Sequence, residues 1–308
     1  MPATSSSTRA TVVLQKRDLQ VLDVFRAVRF ADTETLATIL APDPFPSAQR
    51  LRLRLPKLQR YGLLDRPARK IDPSEIQIED DGRKRGRPQD IWALAQRGAD
   101  LLELNGDWNR NNRRLRPGAF AHPLAIARIF ALLCAEARSG RIQLLNWQGE
   151  NAFRDRINVN GRILPIVPDA TFEIGAAGPR SFKAFLEIDN STEPLTRTDW
   201  NQSSFFKKCA AYWGYWKRIL KPRGDGNFVV LTIAKTARAA DRLRGTAAKA
   251  DDHQAGSNLF WFTSDEELLS CSQALLYRPI WTTAAGQSRA IIPNHTLSTQ
   301  RALPIVVD

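Results

Sequence analysis

The sequence predicts two fold classes in one chain: an α+β winged helix-turn-helix first, and an α/β domain after it. Three observations carry this. Between Arg17 and Leu104, short amphipathic helices are followed by two strand-like runs joined by a basic loop. Between Asp169 and Asp189, two runs with period two flank a Gly/Ala/Pro turn, and helices then alternate with strands. The 308 residues carry a formal net charge of +13, which suits a polyanionic partner. The expected division is a lead-in at 1–14, a winged helix at 15–106, a linker at 107–118, and the second domain at 119–308.

The first helix is read from Leu19, Leu22, Phe25 and Val28, spaced by three within Arg17 to Val28. Asp32 or Thr33 is a cap for a second helix, Glu34 to Leu40. Pro42 to Pro46 is a turn. The third helix, Ser47 to Tyr61, has Ser47 as its cap and Ala48, Leu51, Leu55 and Leu58 as its apolar face. Arg50, Arg54 and Lys57 share another face, with Arg60 at its edge. An apolar back and a basic front fit a helix that enters a DNA groove. Pro56 removes a hydrogen bond inside this helix, so a kink or an early end is expected.

Gly62 to Arg66 opens a strand, and Asp90 to Ala95 is a second one. The segment between them ends in Arg83-Lys84-Arg85-Gly86-Arg87-Pro88, a basic wing tip whose arginines suit a narrow minor groove. A further helix is expected from Gly98 to Leu104.

In the second domain, His122 to Arg138 reads as an apolar helix. The hairpin Asp169–Ile174 and Phe182–Asp189 follows. The helix carrying Lys208, Trp213, Trp216 and Ile219 comes next, then a buried-type strand Asn227–Ile233. Ala237–Ala250 is a helix, Asn258–Phe262 a strand, and Asp265–Leu276 a helix with Ser264 as cap. The expected order is helix, three strands, helix, strand, helix, strand. The stretch beyond Leu276 has few periods and remains unassigned.

Charge is spread along the chain. Residues 1–120 hold 22 Lys+Arg against 15 Asp+Glu (+7), and the remainder 23 against 17 (+6), so both halves are expected to touch double-stranded DNA. The three cysteines, Cys134, Cys209 and Cys271, are far apart, which argues for a reduced, cytoplasmic protein with neither a disulfide framework nor a zinc knuckle. No apolar run approaches the ~20 residues of a membrane span. No P-loop is present, which argues against an ATP-driven motor. His122, His253 and His295 are unclustered, which argues against a histidine-bound metal with a tyrosine nucleophile. Tyr212 and Tyr215 are expected in the core.

The chemistry concentrates in Pro168-Asp169, Glu187-Ile188-Asp189 and Lys208. Glu187 and Asp189 are two apart and share a strand face, and Asp169 starts the neighbouring strand. Phe182, Phe185, Leu186 and Ile188 make the second strand apolar around its acids, and buried carboxylates need partners. Converging carboxylates repel unless a cation joins them, and Mg²⁺ takes one or two carboxylates plus waters and phosphate oxygens. Asp169 and Glu187 are therefore candidate ligands for Mg²⁺ or Mn²⁺, with Asp189 as a further ligand or behind them. Lys208 is the candidate for stabilising developing charge. Glu193, in a loop, is a supporting candidate.

These residues carry a resemblance. The chain resembles the replication-relaxation family of plasmid and mobile-element proteins. The N-terminal match runs through Lys16-Arg-Asp-Leu-Gln-Val-Leu-Asp-Val-Phe25, Arg29-Phe30, Arg50-Leu51, Tyr61-Gly-Leu-Leu-Asp-Arg66, Gly86-Arg-Pro88 and Trp92-Ala-Leu94. The C-terminal match runs through Pro168-Asp-Ala-Thr-Phe172, Glu187-Ile-Asp-Asn-Ser-Thr-Glu193, and Lys208 with Tyr212 four residues on. The resemblance implies a winged helix joined to a restriction-endonuclease-like, PD-(D/E)xK domain, as in one class of plasmid mobilisation relaxases. It implies a metal-dependent DNA nickase acting in replication or transfer. A homodimer or other mobile-element proteins are the protein partners it suggests. One departure matters: Asp189 occupies the place of the usual lysine, so Lys208 or Lys207 must enter from the following helix. The alternative is a regulator of replication or transcription that binds DNA through a nuclease domain that does not cut.

Overall fold

The structure, a computed structural model, describes residues 13–42, 47–67, 90–104, 108, 115, 119–175, 181–190, 193–224, 228–252, 256–270 and 275–293. The chain is a mixed α and β protein that divides into two compact units, Met1–Phe120 and Ala121–Asp308.

Unit 1 begins with α1 (Lys16–Ala27), β1 (Ala31–Asp32), α2 (Thr33–Leu40) and α3 (Ala48–Arg60). It continues with β2 (Leu64–Asp65), β3 (Ile91–Leu94) and α4 (Gln96–Leu101). The strands form a sheet in the order β1-β3-β2, antiparallel throughout, with Ala31 opposite Trp92 and Leu64 opposite Leu94. Caps start the helices where short polar side chains precede the apolar stripe: Asp32 Oδ1 accepts from Thr35 N at 2.7 Å, and Ser47 Oγ from Arg50 N at 3.5 Å. Leu22, Leu36, Leu51, Leu55, Leu58, Leu64 and Trp92 fill the core. Trp92 Nε1 donates to Thr33 Oγ1 at 3.0 Å, so the buried indole is satisfied. Pro56 neither shortens nor splits α3, which runs on to Arg60. The helix expected at Gly98–Leu104 starts earlier and ends earlier, and a Cβ on Gly98 would meet Leu63 O at 2.2 Å, so only glycine allows this close approach.

Unit 2 opens with α5 (Ala121–Arg138) and continues through β4 (Gln143–Gln148), β5 (Asp155–Val159), β6 (Arg162–Ile166), β7 (Ala170–Gly175) and β8 (Ser181–Asp189). Then come α6 (Phe205–Tyr215), which passes into a π-helical turn at Trp216–Leu220, β9 (Phe228–Ala234), α7 (Ala237–Ala247) and β10 (Phe260–Ser264). The last elements are α8 (Asp265–Ser270), β11 (Trp281–Thr283) and β12 (Ser288–Arg289). Seven strands form one sheet in the order β12-β11-β10-β9-β8-β7-β4. The central pairs β8–β9 and β9–β10 are parallel, and the outer pairs are antiparallel.

Alternate residues of β8 and β9 feed two cores. Leu186, Ile188 and Leu231 pack with Ile126, Ile129 and Leu133 of α5. Phe185 and Val230 pack with Phe205 and Tyr212 of α6 and Leu243 of α7. The central sheet is thus covered by helices on both faces, which is why its strands read as near-continuous apolar runs.

Two parts of this unit depart from the expected order. The strands β11 and β12, in the stretch left unassigned, extend the sheet beyond β10. The separate hairpin β5–β6 packs Ile157 and Leu164 against the α6 side. It turns on Asn160 and Gly161, both at positive φ (51° and 80°), which matches the twist of a two-residue hairpin.

Candidate active site

The site is built where β7 begins and β8 ends. The antiparallel register sets Ala170 opposite Leu186, so Asp169 stands across from Glu187 on one face. The backbone locks this arrangement: Asp169 N donates to Leu186 O at 3.0 Å, and Ile188 N donates to Asp169 Oδ2 at 2.7 Å. The hairpin pattern read in the sequence thus brings the two carboxylates together.

Glu187 is only 3% exposed. Both its oxygens are engaged from α6. Lys208 Nζ lies 2.9 Å from Oε2, and the Tyr212 hydroxyl donates to Oε1. Lys208 and Tyr212 are one turn apart on α6, so a single helix face delivers both. Lys208 Nζ also lies 3.4 Å from Glu193 Oε2, which brings the loop acid into the cluster. Lys207 points elsewhere: it donates to the carbonyls of Asp199 and Gln202 and lies 5.3 Å from the Trp200 ring centroid.

Burial dominates the electrostatics. It pushes the Glu187 carboxyl up to about 7; Asp169 adds to the rise, while Lys208 and Tyr212 oppose it. Burial alone would lower Lys208, yet the charges of Glu187, Glu193 and Asp169 outweigh it and hold the ammonium in its charged form. Tyr212 is raised by burial and by Glu187, so it stays a neutral donor.

Sequence reasoning missed two groups. His122, on the first turn of α5, has Nε2 at 3.1 Å from Asp169 Oδ1. Burial opposes its charge, but the hydrogen bond and charge of Asp169 prevail and raise its pKa. An isolated histidine in an apolar helix carried no signal of this. Thr232 of β9 is in register with Glu187, and its buried Oγ1 has no hydrogen-bond partner among the described residues.

Asp189 ends β8, half-buried beside Ala234. Among the described residues no group of three or more His, Cys, Asp or Glu side chains is arranged to hold a metal ion, so Asp189 does not complete a three-carboxylate cluster. The donor set that does converge is two carboxylates. These are hard oxygen donors of the kind that could hold a magnesium-type ion, which takes one or two carboxylates and fills the rest with water and phosphate oxygens.

Of the residues expected on DNA, Arg50, Lys57 and Arg60 are exposed on α3. Arg54 is half-buried and tied to α1. Its Nε donates to Asp18 Oδ1 at 2.7 Å, and Asp18 on α1 is fully buried. Burial alone would raise the Asp18 carboxyl, but Arg54, the Gln15 backbone N–H and Arg17 hold it below its ordinary value. Arg54 faces the seam between α1 and α3, and periodicity alone could not tell that face from the solvent one. Arg83, Lys84, Arg85 and Arg87 lie outside the described residues.

No described helix is long and apolar enough to cross a membrane. No curated protein and no solved structure matches this chain. A family model described as replication-relaxation matches residues 22–231, which span both the α3 surface and the Asp169–Glu187–Lys208 cluster. The chain therefore belongs to the replication-relaxation family.

Proposed function

We propose that this protein is a DNA-binding, metal-dependent nickase that acts in the replication or transfer of a mobile element. The family description points to replication or relaxation of such elements. In this reading unit 1 is a winged helix that selects the DNA, with α3 and the wing residues Arg83, Lys84, Arg85 and Arg87 as its contacts. Unit 2 is a PD-(D/E)xK-type nuclease. The observation that carries the reading is the buried Glu187, opposite Asp169 and joined to Lys208 at 2.9 Å. A structural salt bridge would not need a second carboxylate across the hairpin, which raises the cost of ionising the first.

Asp169 and Glu187 would hold Mg²⁺ or Mn²⁺, which supplies charge neutralisation at the scissile phosphate and a more acidic water. The protein groups do the rest. His122 and the Ile188 N–H fix the Asp169 carboxylate, and Tyr212 fixes that of Glu187. Lys208, with a third of its side chain exposed, presents a held positive charge to the phosphate as charge develops on it. The lysine comes from α6 and not from the strand, so Asp189 in the usual lysine position does not preclude cutting.

The test is nicking of supercoiled plasmid carrying the protein's own element. Open circles should appear with Mg²⁺ or Mn²⁺ and not with EDTA, and Glu187→Gln should stop nicking while leaving DNA binding nearly intact. Protein that binds DNA tightly yet never cuts it with either metal would establish the regulator reading instead.

A further inference from the structure

On α3 the residues Leu51, Leu55 and Leu58 are buried, and Leu53 is turned the other way, 68% exposed. Single exposed leucines are ordinary on protein surfaces and carry no message by themselves. The surroundings of Leu53 are what distinguish it. Arg50 and Lys57 stand at i−3 and i+4, positions that neighbour it on a helix surface, and Arg54 comes in from the adjacent face. Together with Arg17 of α1 they line one concavity around it. An apolar side chain ringed by cations suits a partner with negative charge at its rim and an apolar group at its centre.

Double-stranded DNA has that chemistry in its major groove. Phosphates flank the groove, and the thymine C5-methyl is the apolar group on its base edges. A leucine can neither donate nor accept a hydrogen bond, so it contributes to base choice only through such a contact.

We infer that Leu53 reads a thymine methyl in the major groove, while Arg50 and Lys57 hold the flanking phosphates. Arg54 acts as a brace: tied to buried Asp18, it keeps α3 against α1 and so fixes where Leu53 points. This inference rests on the DNA-binding reading of unit 1 and adds to it the residue that discriminates between bases.

The experiment uses the full-length protein. Duplexes are enriched from a random pool, and each thymine of the best duplex is then replaced singly by uracil, which removes only the methyl. With wild type, one or two positions should weaken binding about fourfold, the worth of one buried methyl-sized group. Leu53→Ala, at an exposed position, should still bind through Arg50 and Lys57 but lose the uracil penalty at those positions. The inference is overturned if wild type tolerates uracil at every position, or if Leu53→Ala keeps the full penalty. It is also overturned if Leu53→Ala instead dissociates a self-associated protein, seen by sedimentation, with the penalty unchanged. If wild type enriches no duplex and binds none, the DNA-binding reading falls, and this inference with it.

Discussion

Lys208 Nζ lies 2.9 Å from Glu187 Oε2, whereas Lys207, one residue earlier, turns to the carbonyls of Asp199 and Gln202. Adjacent helical residues point about 100° apart, so only one can enter the site. Lys208→Ala should slow nicking by about 10²–10³-fold, the loss typical of removing one transition-state donor. Lys207→Ala should do much less. Time courses of plasmid nicking at saturating metal decide this, and the reverse ranking would refute the assignment.

Glu187 makes stability depend on pH in a definite direction. Its carboxyl sits at about 7 in the folded chain, against an ordinary value of 4.5. A raised folded value means that the stabilising contribution is full below about pH 4.5 and is lost as pH rises through 7. In EDTA, wild type should therefore lose stability relative to Glu187→Gln between pH 5 and 8, by on the order of 3 kcal/mol. His122 shifts in the same sense, and part of its rise comes from Glu187, so the difference between the two proteins reports Glu187 together with its influence on His122. Added Mg²⁺ should restore wild type most at pH 8. Parallel urea-denaturation profiles for the two proteins would contradict this.

The hairpin was legible because its signals are local. Period-two runs and a Gly/Ala/Pro turn set the faces of Asp169 and Glu187, and the Lys208/Tyr212 spacing set one face of α6. What escaped was set by tertiary packing. His122 reaches Asp169 across 47 positions of chain, and no periodicity encodes that. Arg54 belongs to a basic face by pattern but is captured by Asp18, 36 positions earlier. The β5–β6 hairpin is a different case. Its Asn160-Gly161 turn is a strong local signal, but the flanking runs are only five residues each and Pro165 inside β6 weakens the strand pattern.

The Arg54–Asp18 pair predicts a stability effect separable from binding. Side-chain exposure is 17% and 0%, so removing one partner strands a buried charge. Asp18→Ala should cost about 3 kcal/mol or more by urea denaturation. Replacing both residues with apolar ones of similar volume, Asp18→Leu with Arg54→Met, should recover most of it. Arg50→Ala and Lys57→Ala, at exposed sites, should fall within about 0.5 kcal/mol of wild type. A mild Asp18→Ala would return Arg54 to the surface contacts.

DNA contacts should be read from salt dependence. Each phosphate contact contributes about 0.9 to the slope of log affinity against log salt. The Arg50→Ala/Lys57→Ala double variant should flatten the slope by nearly two. The Arg85→Ala/Arg87→Ala pair should do the same. Anisotropy titrations at several salt concentrations measure both, and unchanged slopes in either would remove those residues from the interface.

His122 provides the sharpest test of how the site is organised. Its Nε2 hydrogen-bonds the oxygen of Asp169 that the Ile188 N–H leaves free, so it orients the carboxylate without replacing it. Partners of this kind typically cost 10- to 100-fold in metal affinity or activity when removed. His122→Ala should therefore raise the Mg²⁺ concentration needed for half-maximal nicking by about that factor, while activity at saturating Mg²⁺ falls less. His122→Gln, which restores a donor, should recover part of the loss. A purely structural histidine would behave differently: its loss would lower stability and maximal activity together and leave the Mg²⁺ requirement unchanged. Titrating nicking against Mg²⁺ for the three proteins, with urea denaturation alongside, separates the two roles.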